Sequence, residues 1–205
     1  MTVHPVEQQR AQQEIDQVIG SDRLPTFADR SSLPYVEALY REVLRWRPIA
    51  PLSVAHATDV DDVYKGYYIP KGSMVFANVW AISRDETKYP EPEEFRPERF
   101  FNEDGSLNDD AIGYVFGFGR RICPGQHMAD LVVWLMITSV LAMFNISKDK
   151  DEDGNVIEVD ASIDSFTDSY TSHSLPFKCA IAPRSQLAET LVRDTADVAL
   201  QKLNA

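Results

Sequence analysis

A single cysteine in a glycine-rich loop, followed at once by a long apolar run, constrains this chain most. The loop spans residues 116–125, reads FGFGRRICPG and carries its thiol at Cys123. The apolar run, residues 128–144, predicts a helix that begins close to the sulfur. Backbone N–H groups at a helix start and the guanidinium of Arg121 both favour thiolate over thiol. A thiolate held in this way is either a nucleophile or a metal ligand.

Three other interpretations of Cys123 carry less weight. A lone cysteine is usually a small buried hydrophobe, but this one is surrounded by loop-forming residues. A zinc site could use Cys123 and His127, yet the one other cysteine is Cys179 and the chain has no C-x-x-C pair. A Cys–His hydrolase would need His127 as its base, and a position one helical turn along from the sulfur suits that role poorly.

The loop fits the pattern F-x-x-G-x-R-x-C-x-G, and in this it resembles the haem-binding signature of the cytochrome P450 family. The resemblance implies haem b as cofactor, with Cys123 as the proximal thiolate ligand of the iron, which favours cleavage of the O–O bond of bound oxygen. It also implies that Arg121 pairs with a haem propionate, which suits a planar fork of donors. Phe116 would pack against the loop and the haem. The glycines that would permit tight turns and close backbone approach are Gly117, Gly119 and Gly125.

Two more segments are similar to motifs of the same family. Residues 42–45 read EVLR and match its E-x-x-R, and residues 95–100 read FRPERF and match its P-E-R-F segment. In that family a glutamate and two arginines form a salt-bridged cluster that fixes the cysteine loop. The resemblance therefore implies a structural ion cluster of Glu42, Arg45 and Arg99.

Helical periodicity alone does not decide whether Glu42 is buried or exposed. In a helix over residues 35–46, apolar side chains share one face, whereas Glu37 and Arg41 fall on a polar face and predict an exposed i,i+4 pair. Glu42 falls in line with apolar residues, where a carboxylate is costly unless it is paired. The alternative is a solvated surface pair with Arg45.

His56 ends a segment, residues 51–56, that is similar to the family segment lining the substrate pocket. This resemblance makes His56 a second candidate partner of a propionate. A surface histidine near the end of a strand is an equally good interpretation.

Prolines and glycines predict most of the other elements. Pro5 begins a helix that ends at Gly20, and a second helix lies between Pro34 and Pro48. Residues 65–66, Lys-Gly, predict a hairpin. Other expected elements are a strand at 74–79, a short helix at 81–85, an irregular packed segment at 89–110, two strands around 153–154 and a last strand at 177–181. The expected fold class is mostly α with small β-sheets (α+β). By resemblance, residues 1–184 form the C-terminal half of a P450 domain and residues 185–205 a helical terminal extension.

Composition excludes some functions. A net charge of −12 over 205 residues argues against binding of nucleic acid. Two cysteines without framework spacing fit a reducing compartment. The N-terminus has no apolar run, and the stretch 131–144 is too short to span a bilayer, so we expect no anchor in this chain and a helix buried on nearly all sides. Localisation stays unknown, although full-length relatives in the family are usually anchored in the endoplasmic-reticulum membrane.

The resemblance, closest to fungal-type microsomal members, implies a haem-thiolate monooxygenase. Such an enzyme inserts one oxygen atom from O2 into an apolar small organic substrate, with electrons from an NADPH-dependent reductase that would dock near Arg120. The oxygen-activating motif A/G-G-x-D/E-T does not occur in the sequence, so no catalytic residue is assigned. The alternatives are a non-catalytic haem-binding or partner-binding fragment, and a chain that acts with a separately encoded upstream piece.

Overall fold

The structure, a computed structural model, describes residues 1–203. Within this range, five α-helices and short 3-10 turns are combined with three antiparallel sheets of two strands each. This arrangement confirms the expected fold class. The helices are α1 (Pro5–Val18), α2 (Pro34–Trp46), α3 (Val79–Ser83), α4 (Gln126–Met143) and α5 (Gln186–Leu203). The strands are β1 (His56–Ala57), β2 (Asp62–Tyr64), β3 (Tyr67–Ile69), β4 (Met74–Val75), β5 (Phe144–Lys148) and β6 (Cys179–Pro183).

The first turn of α2 is capped by a side chain from α1. The first N–H groups of a helix have no partner within the helix. The carboxylate of Glu14 accepts hydrogen bonds from the backbone N–H groups of Tyr35 and Val36, at 2.8 and 2.9 Å. A negative charge there also suits the positive end of the helix dipole. The contact therefore connects the start of α2 to α1.

The main hydrophobic core lies between α1, α2 and α4. Ala11 and Ile15 of α1, Val36 of α2 and Trp134 of α4 have no exposed surface. Their spacing along each helix places them on one face, as the apolar periodicity predicts. A second, smaller cluster joins α2 to the irregular segment that follows α3, and Phe100 and Ile112 are its fully buried members.

The expectation that α4 is buried on nearly all sides is wrong. One side packs against the core, but Met128, Val132 and Met136 are 73, 53 and 57% exposed, and 28% of the helix residues are buried. These three residues recur every four positions, so they form one exposed apolar stripe. The helix is also longer than the predicted stretch. Its 18 residues are long and apolar enough to cross a membrane by length and composition alone, a test that core helices of soluble proteins also meet.

The predicted hairpin joins β2 to β3. Tyr64 pairs with Tyr67 across a two-residue turn, in which Lys65 and Gly66 have φ values of 50° and 85°. Positive φ at both central positions is the type I′ geometry that matches the twist of a hairpin. The expected strand at 74–79 is shorter in the structure, because the side chain of Asn78 accepts the N–H of Ala81 at 2.9 Å and starts α3.

The C-terminal part of the chain pairs β5 with β6 and ends in α5. The two strands expected around residues 153–154 are instead a single bridge between Lys150 and Val156. In α5, Ala188 is only 4% exposed and belongs to the main core, so this helix packs against the rest of the structure. The domain boundary at residue 184 stays a prediction, and residues 204–205 of the expected extension lie outside the described residues.

Candidate cofactor site at Cys123

The backbone of the Cys123 loop folds back on itself before α4 begins. The N–H of Cys123 donates to the carbonyl oxygen of Phe116 at 2.8 Å, and the carbonyl of Cys123 accepts the N–H of Gln126 at 3.2 Å. Gly117 and Gly119 have φ values of 89° and 61°, which side chains other than hydrogen rarely tolerate. Two glycines therefore turn the chain so that the sulfur stands just outside the first turn of α4.

The sulfur is exposed and lies at an open cavity of about 360 Å³. The loop supplies one wall of this cavity, and the segment between α2 and β1 supplies the other. The residues that line it are Ala50, Ser53, Val54, His56, Val115, Phe116, Gly117, Arg121, Cys123 and Pro124. Apolar walls, one sulfur and two nitrogen-bearing side chains therefore face the same space.

Five of the seven predicted cofactor-binding residues line this cavity, namely His56, Phe116, Gly117, Arg121 and Cys123. The other two lie in the loop without reaching its lining. A Cβ atom added to Gly125 would stand 3.8 Å from the sulfur of Cys123, an ordinary contact, and one added to Gly119 would have no atom within 4 Å. Gly119 is therefore constrained by its backbone angle, whereas at Gly125 a Cβ atom would only touch the sulfur.

The donor set at the cavity suits haem. A thiolate is a ligand for haem iron, and the apolar walls suit the flat face of a porphyrin. The guanidinium of Arg121 and the imidazole of His56 could each meet an anionic propionate. Among the described residues, no group of three His, Cys, Asp or Glu side chains converges as a multidentate metal site would.

A larger cavity lies away from the sulfur. It has a volume of about 630 Å³ and is bounded by the N-terminal residues, Trp46 and the segment 157–178. Its described lining contains no thiol. The chemistry of the site is therefore set by the donors around Cys123 and not by cavity size.

Glu42, Arg45 and Arg99 are brought together at the end of α2. The Nε and Nη2 atoms of Arg45 donate to the two carboxylate oxygens of Glu42 at 2.7 and 2.8 Å, and neither side chain is exposed. Arg99 Nε donates to the same carboxylate at 3.2 Å, with its side chain 5% exposed. Burial lowers the pKa of Arg99, and the charge of Glu42 opposes that shift.

The remaining donors of the cluster bind backbone carbonyls at the end of α3 and in the irregular segment that follows it. Arg45 reaches the carbonyls of Ser83 and Pro92, each at 2.9 Å, and Arg99 reaches that of Pro90 at 3.0 Å. Buried charges are tolerated when they are paired and their other donors are satisfied. The cluster therefore cross-links α2 to the chain that leads into the Cys123 loop.

The expectation that Glu37 and Arg41 form an exposed pair is wrong. Arg41 Nε does donate to Glu37 Oε1 at 3.2 Å, but the two side chains are 14 and 13% exposed. The turn before α2 and the segment near residue 108 cover this polar face. Periodicity identifies which residues share a face, but not what packs on it.

Two side-chain contacts between distant segments were missed by sequence reasoning. Arg30 pairs with Asp130 at the start of α4, and the available signal was an isolated carboxylate in an otherwise apolar helix. Arg47 lies over the rings of Trp46 at 4.3 Å and Phe166 at 5.2 Å, with its side chain 10% exposed. Such cation–π contacts join segments far apart in sequence.

The sequence is similar to a known protein family and to several of its members. The family model for cytochrome P450 matches residues 1–165. The chain is 48% identical to cytochrome P450 monooxygenase claR of Ampulloclitocybe clavipes, over 96% of this chain and 36% of that protein. It is also 48% identical to cytochrome P450 monooxygenase 176 of Postia placenta and 47% identical to ple1 of Rhodocybe pseudopiperita. These alignments cover 95% and 94% of this chain and 37% of each relative. The chain therefore spans a little more than a third of the length of the curated relatives it matches.

Proposed function

The chain belongs to the cytochrome P450 family, and on that premise we propose that residues 1–184 are the C-terminal half of a P450 domain, which holds the proximal side of a haem-thiolate monooxygenase. The observation that carries the proposal is the convergence of Cys123, Arg121 and His56 on one cavity with apolar walls. The substrate class that suits such a family member is an apolar small organic molecule.

In this proposal Cys123 would provide the sulfur ligand of the iron, Phe116 would pack beside it, and Arg121 and His56 would bind the propionates. Bound haem supplies the iron at which oxygen is activated, and the thiolate increases electron density there. The chain's own residues provide orientation. The N–H of Cys123 is bonded to the carbonyl of Phe116, so the backbone that carries the sulfur is held against the start of the loop.

The buried cluster of Glu42, Arg45 and Arg99 acts through position. It binds the carbonyls of Pro90 and Pro92, and Asn108 Nδ2 in turn donates to the carbonyl of Arg99 at 3.1 Å. Each contact limits movement of the chain that enters the Cys123 loop. Electrons would arrive from an NADPH-dependent reductase docked near Arg120, which is an exposed residue of the loop.

The test is the spectrum of the reduced chain with carbon monoxide. Thiolate-ligated haem gives a strongly red-shifted Soret band in this state, and we expect that band in the parent and in Cys179→Ser. We expect Cys123→Ser to lose it. A C123S variant with the spectrum of the parent would refute the assignment of the ligand.

A second candidate function is a non-catalytic haem-binding or partner-binding fragment. It is favoured by the exposure of the Cys123 sulfur at an open cavity. Water at an oxygen-activating site permits wasteful side reactions, which closed sites avoid. Turnover of an apolar substrate with reductase and NADPH separates the two functions, since a binding fragment would keep the spectrum and lack the activity. Activity restored by co-expression of an upstream piece would favour a two-part enzyme.

A further inference from the structure

The start of α4, just after the Cys123 loop, is held by an ion pair from the turn that precedes α2. Asp130 accepts hydrogen bonds from the two Nη atoms of Arg30 at 2.6 and 3.0 Å, and from the hydroxyl of Tyr40 at 2.9 Å. The guanidinium of Arg30 also lies 5.5 Å from the ring centroid of Trp134. Both parallel bonds of the fork are formed, which fixes orientation as well as distance.

The same guanidinium is connected to α2. Arg30 Nε donates to Glu37 Oε2 at 2.8 Å, and the other oxygen of Glu37 accepts Arg41 Nε at 3.2 Å. The side chains of Arg30, Glu37 and Arg41 are 21, 13 and 14% exposed. Partial burial reduces competition from water, so these contacts are stronger than those of a surface pair.

Arg41 then reaches the segment that precedes the loop. Its Nη1 donates to the backbone carbonyls of Asn108 at 2.7 Å and Asp110 at 3.3 Å. The carboxylate of Asp110 accepts the N–H of Ile112 at 3.4 Å. Ile112 is fully buried, has a φ of 53° and immediately precedes the turn Gly113–Phe116 that enters the loop. The segment before the loop and the helix after it are therefore both connected to α2.

From these contacts we infer that Arg30, Glu37, Arg41 and Asp130, which we call the loop clamp, are positioning residues for the sulfur of Cys123. Two arginines and two carboxylates balance in charge and join both ends of the loop to one helix, α2. The loop closes through the bond between the N–H of Cys123 and the carbonyl of Phe116, and this bond needs the two ends at a fixed spacing. The role of the sulfur as a ligand rests on the proposed function, whereas the spacing is a property of the chain itself.

A matched pair of variants tests the loop clamp. Arg30→Gln removes the central guanidinium. Arg184→Gln removes a similar one, because Arg184 binds Asp16 with two bonds of 2.9 and 2.6 Å and its side chain is 20% exposed, yet it lies far from the loop in sequence. The measurement is amide hydrogen exchange of the full chain without haem, compared between residues 113–126 and residues 34–46. Labelling of Cys123 by a thiol reagent, read by mass spectrometry, reports on the same loop.

We expect R30Q to speed exchange in residues 113–126 by roughly tenfold while residues 34–46 stay protected, because one charge-assisted anchor is lost. R184Q should leave the loop unchanged. Equal loop exchange in the two variants would overturn the inference. If R30Q fails to fold, the milder variants Asp130→Asn and Arg41→Gln make the same comparison, each removing one arm of the clamp.

The spectrum separates this inference from the proposed function. In a parent that shows the thiolate band with carbon monoxide, R30Q should lose more of that band than R184Q does. A parent without the band refutes the proposed function, and the exchange comparison still decides whether the clamp holds the loop.

Discussion

The guanidinium of Arg45 and the carboxylate of Glu42 meet along two parallel hydrogen bonds of 2.7 and 2.8 Å, and neither side chain has any exposed surface. An isolated charge in such a place would be strongly destabilising. Here the two charged groups lie one helical turn apart on α2 and bind each other. Arg45 also donates to backbone carbonyls that lie 38 to 49 residues further along the chain. The pair therefore works as a cross-link between α2 and the route into the Cys123 loop.

Removing one partner of this pair should unfold the neighbourhood of the loop. We expect Glu42→Ala or Arg45→Ala to lower the free energy of unfolding by about 3–5 kcal/mol, since each leaves a buried charge unpaired. Haem incorporation should be lost as well, measured as haem per chain after reconstitution. Arg193→Ala, which breaks an exposed pair with Glu189 on α5, should change neither quantity. Normal haem loading in both E42A and R45A would contradict the role given to the cluster.

A side chain at Gly117 should distort the loop. Its φ of 89° lies in a region that alanine occupies only with strain, so Gly117→Ala should destabilise the structure by about 1–3 kcal/mol. Gly113→Ala is the control, because a Cβ atom there meets nothing within 4 Å and the residue has no such φ. Denaturant midpoints would be compared, together with the rate of thiol labelling at Cys123. A G117A variant that matches G113A in both would show that the loop relaxes without cost.

Acid should weaken the anchor at Asp130. Burial alone would raise the pKa of Asp130, but hydrogen bonds from Arg30 and Tyr40 hold it below its ordinary value of 3.8. A carboxyl group with a lowered pKa in the folded state stabilises the fold above its unfolded pKa, and that stabilisation is lost as pH falls. Urea titrations between about pH 6 and pH 3 should therefore show a steeper loss of stability in the parent than in Asp130→Asn. If the free energy of unfolding falls with pH equally in the two proteins, Asp130 does not contribute to the loss of stability in acid.

The exposed stripe on α4 should accept charge without loss of stability. Val132→Lys and Met136→Lys replace side chains that are 53 and 57% exposed, so we expect the free energy of unfolding to change by less than about 0.5 kcal/mol. Self-association, measured by light scattering, should fall because the apolar patch is interrupted. Trp134→Ala, on the buried side, should cost about 3–5 kcal/mol. Strong destabilisation by V132K or M136K would mean that this side of the helix is covered.

Local features could be predicted from the sequence because their causes lie within a few residues. Pro5 and Pro34 start helices, Lys65–Gly66 makes a type I′ turn, and the glycines of the Cys123 loop turn the backbone wherever the rest of the chain goes. The motif around Cys123 belongs to this group, and so does the family to which it points. The early end of β4 could not be predicted from the sequence. The hydrogen bond by which Asn78 caps α3 competes with a strand pattern of similar strength in the same residues.

The surroundings of each face were decided only by tertiary structure. Periodicity put Glu37 and Arg41 on one polar face of α2, but their burial depends on Arg30, on Asp130 one hundred residues away from it, and on the carbonyl groups near residue 108. The same limit explains α4, whose composition predicted burial on nearly all sides, although one side meets α1 and α2 and 28% of the helix residues are buried. A side chain's chemistry is encoded at its own position, whereas its desolvation and its partners depend on which distant elements pack against it.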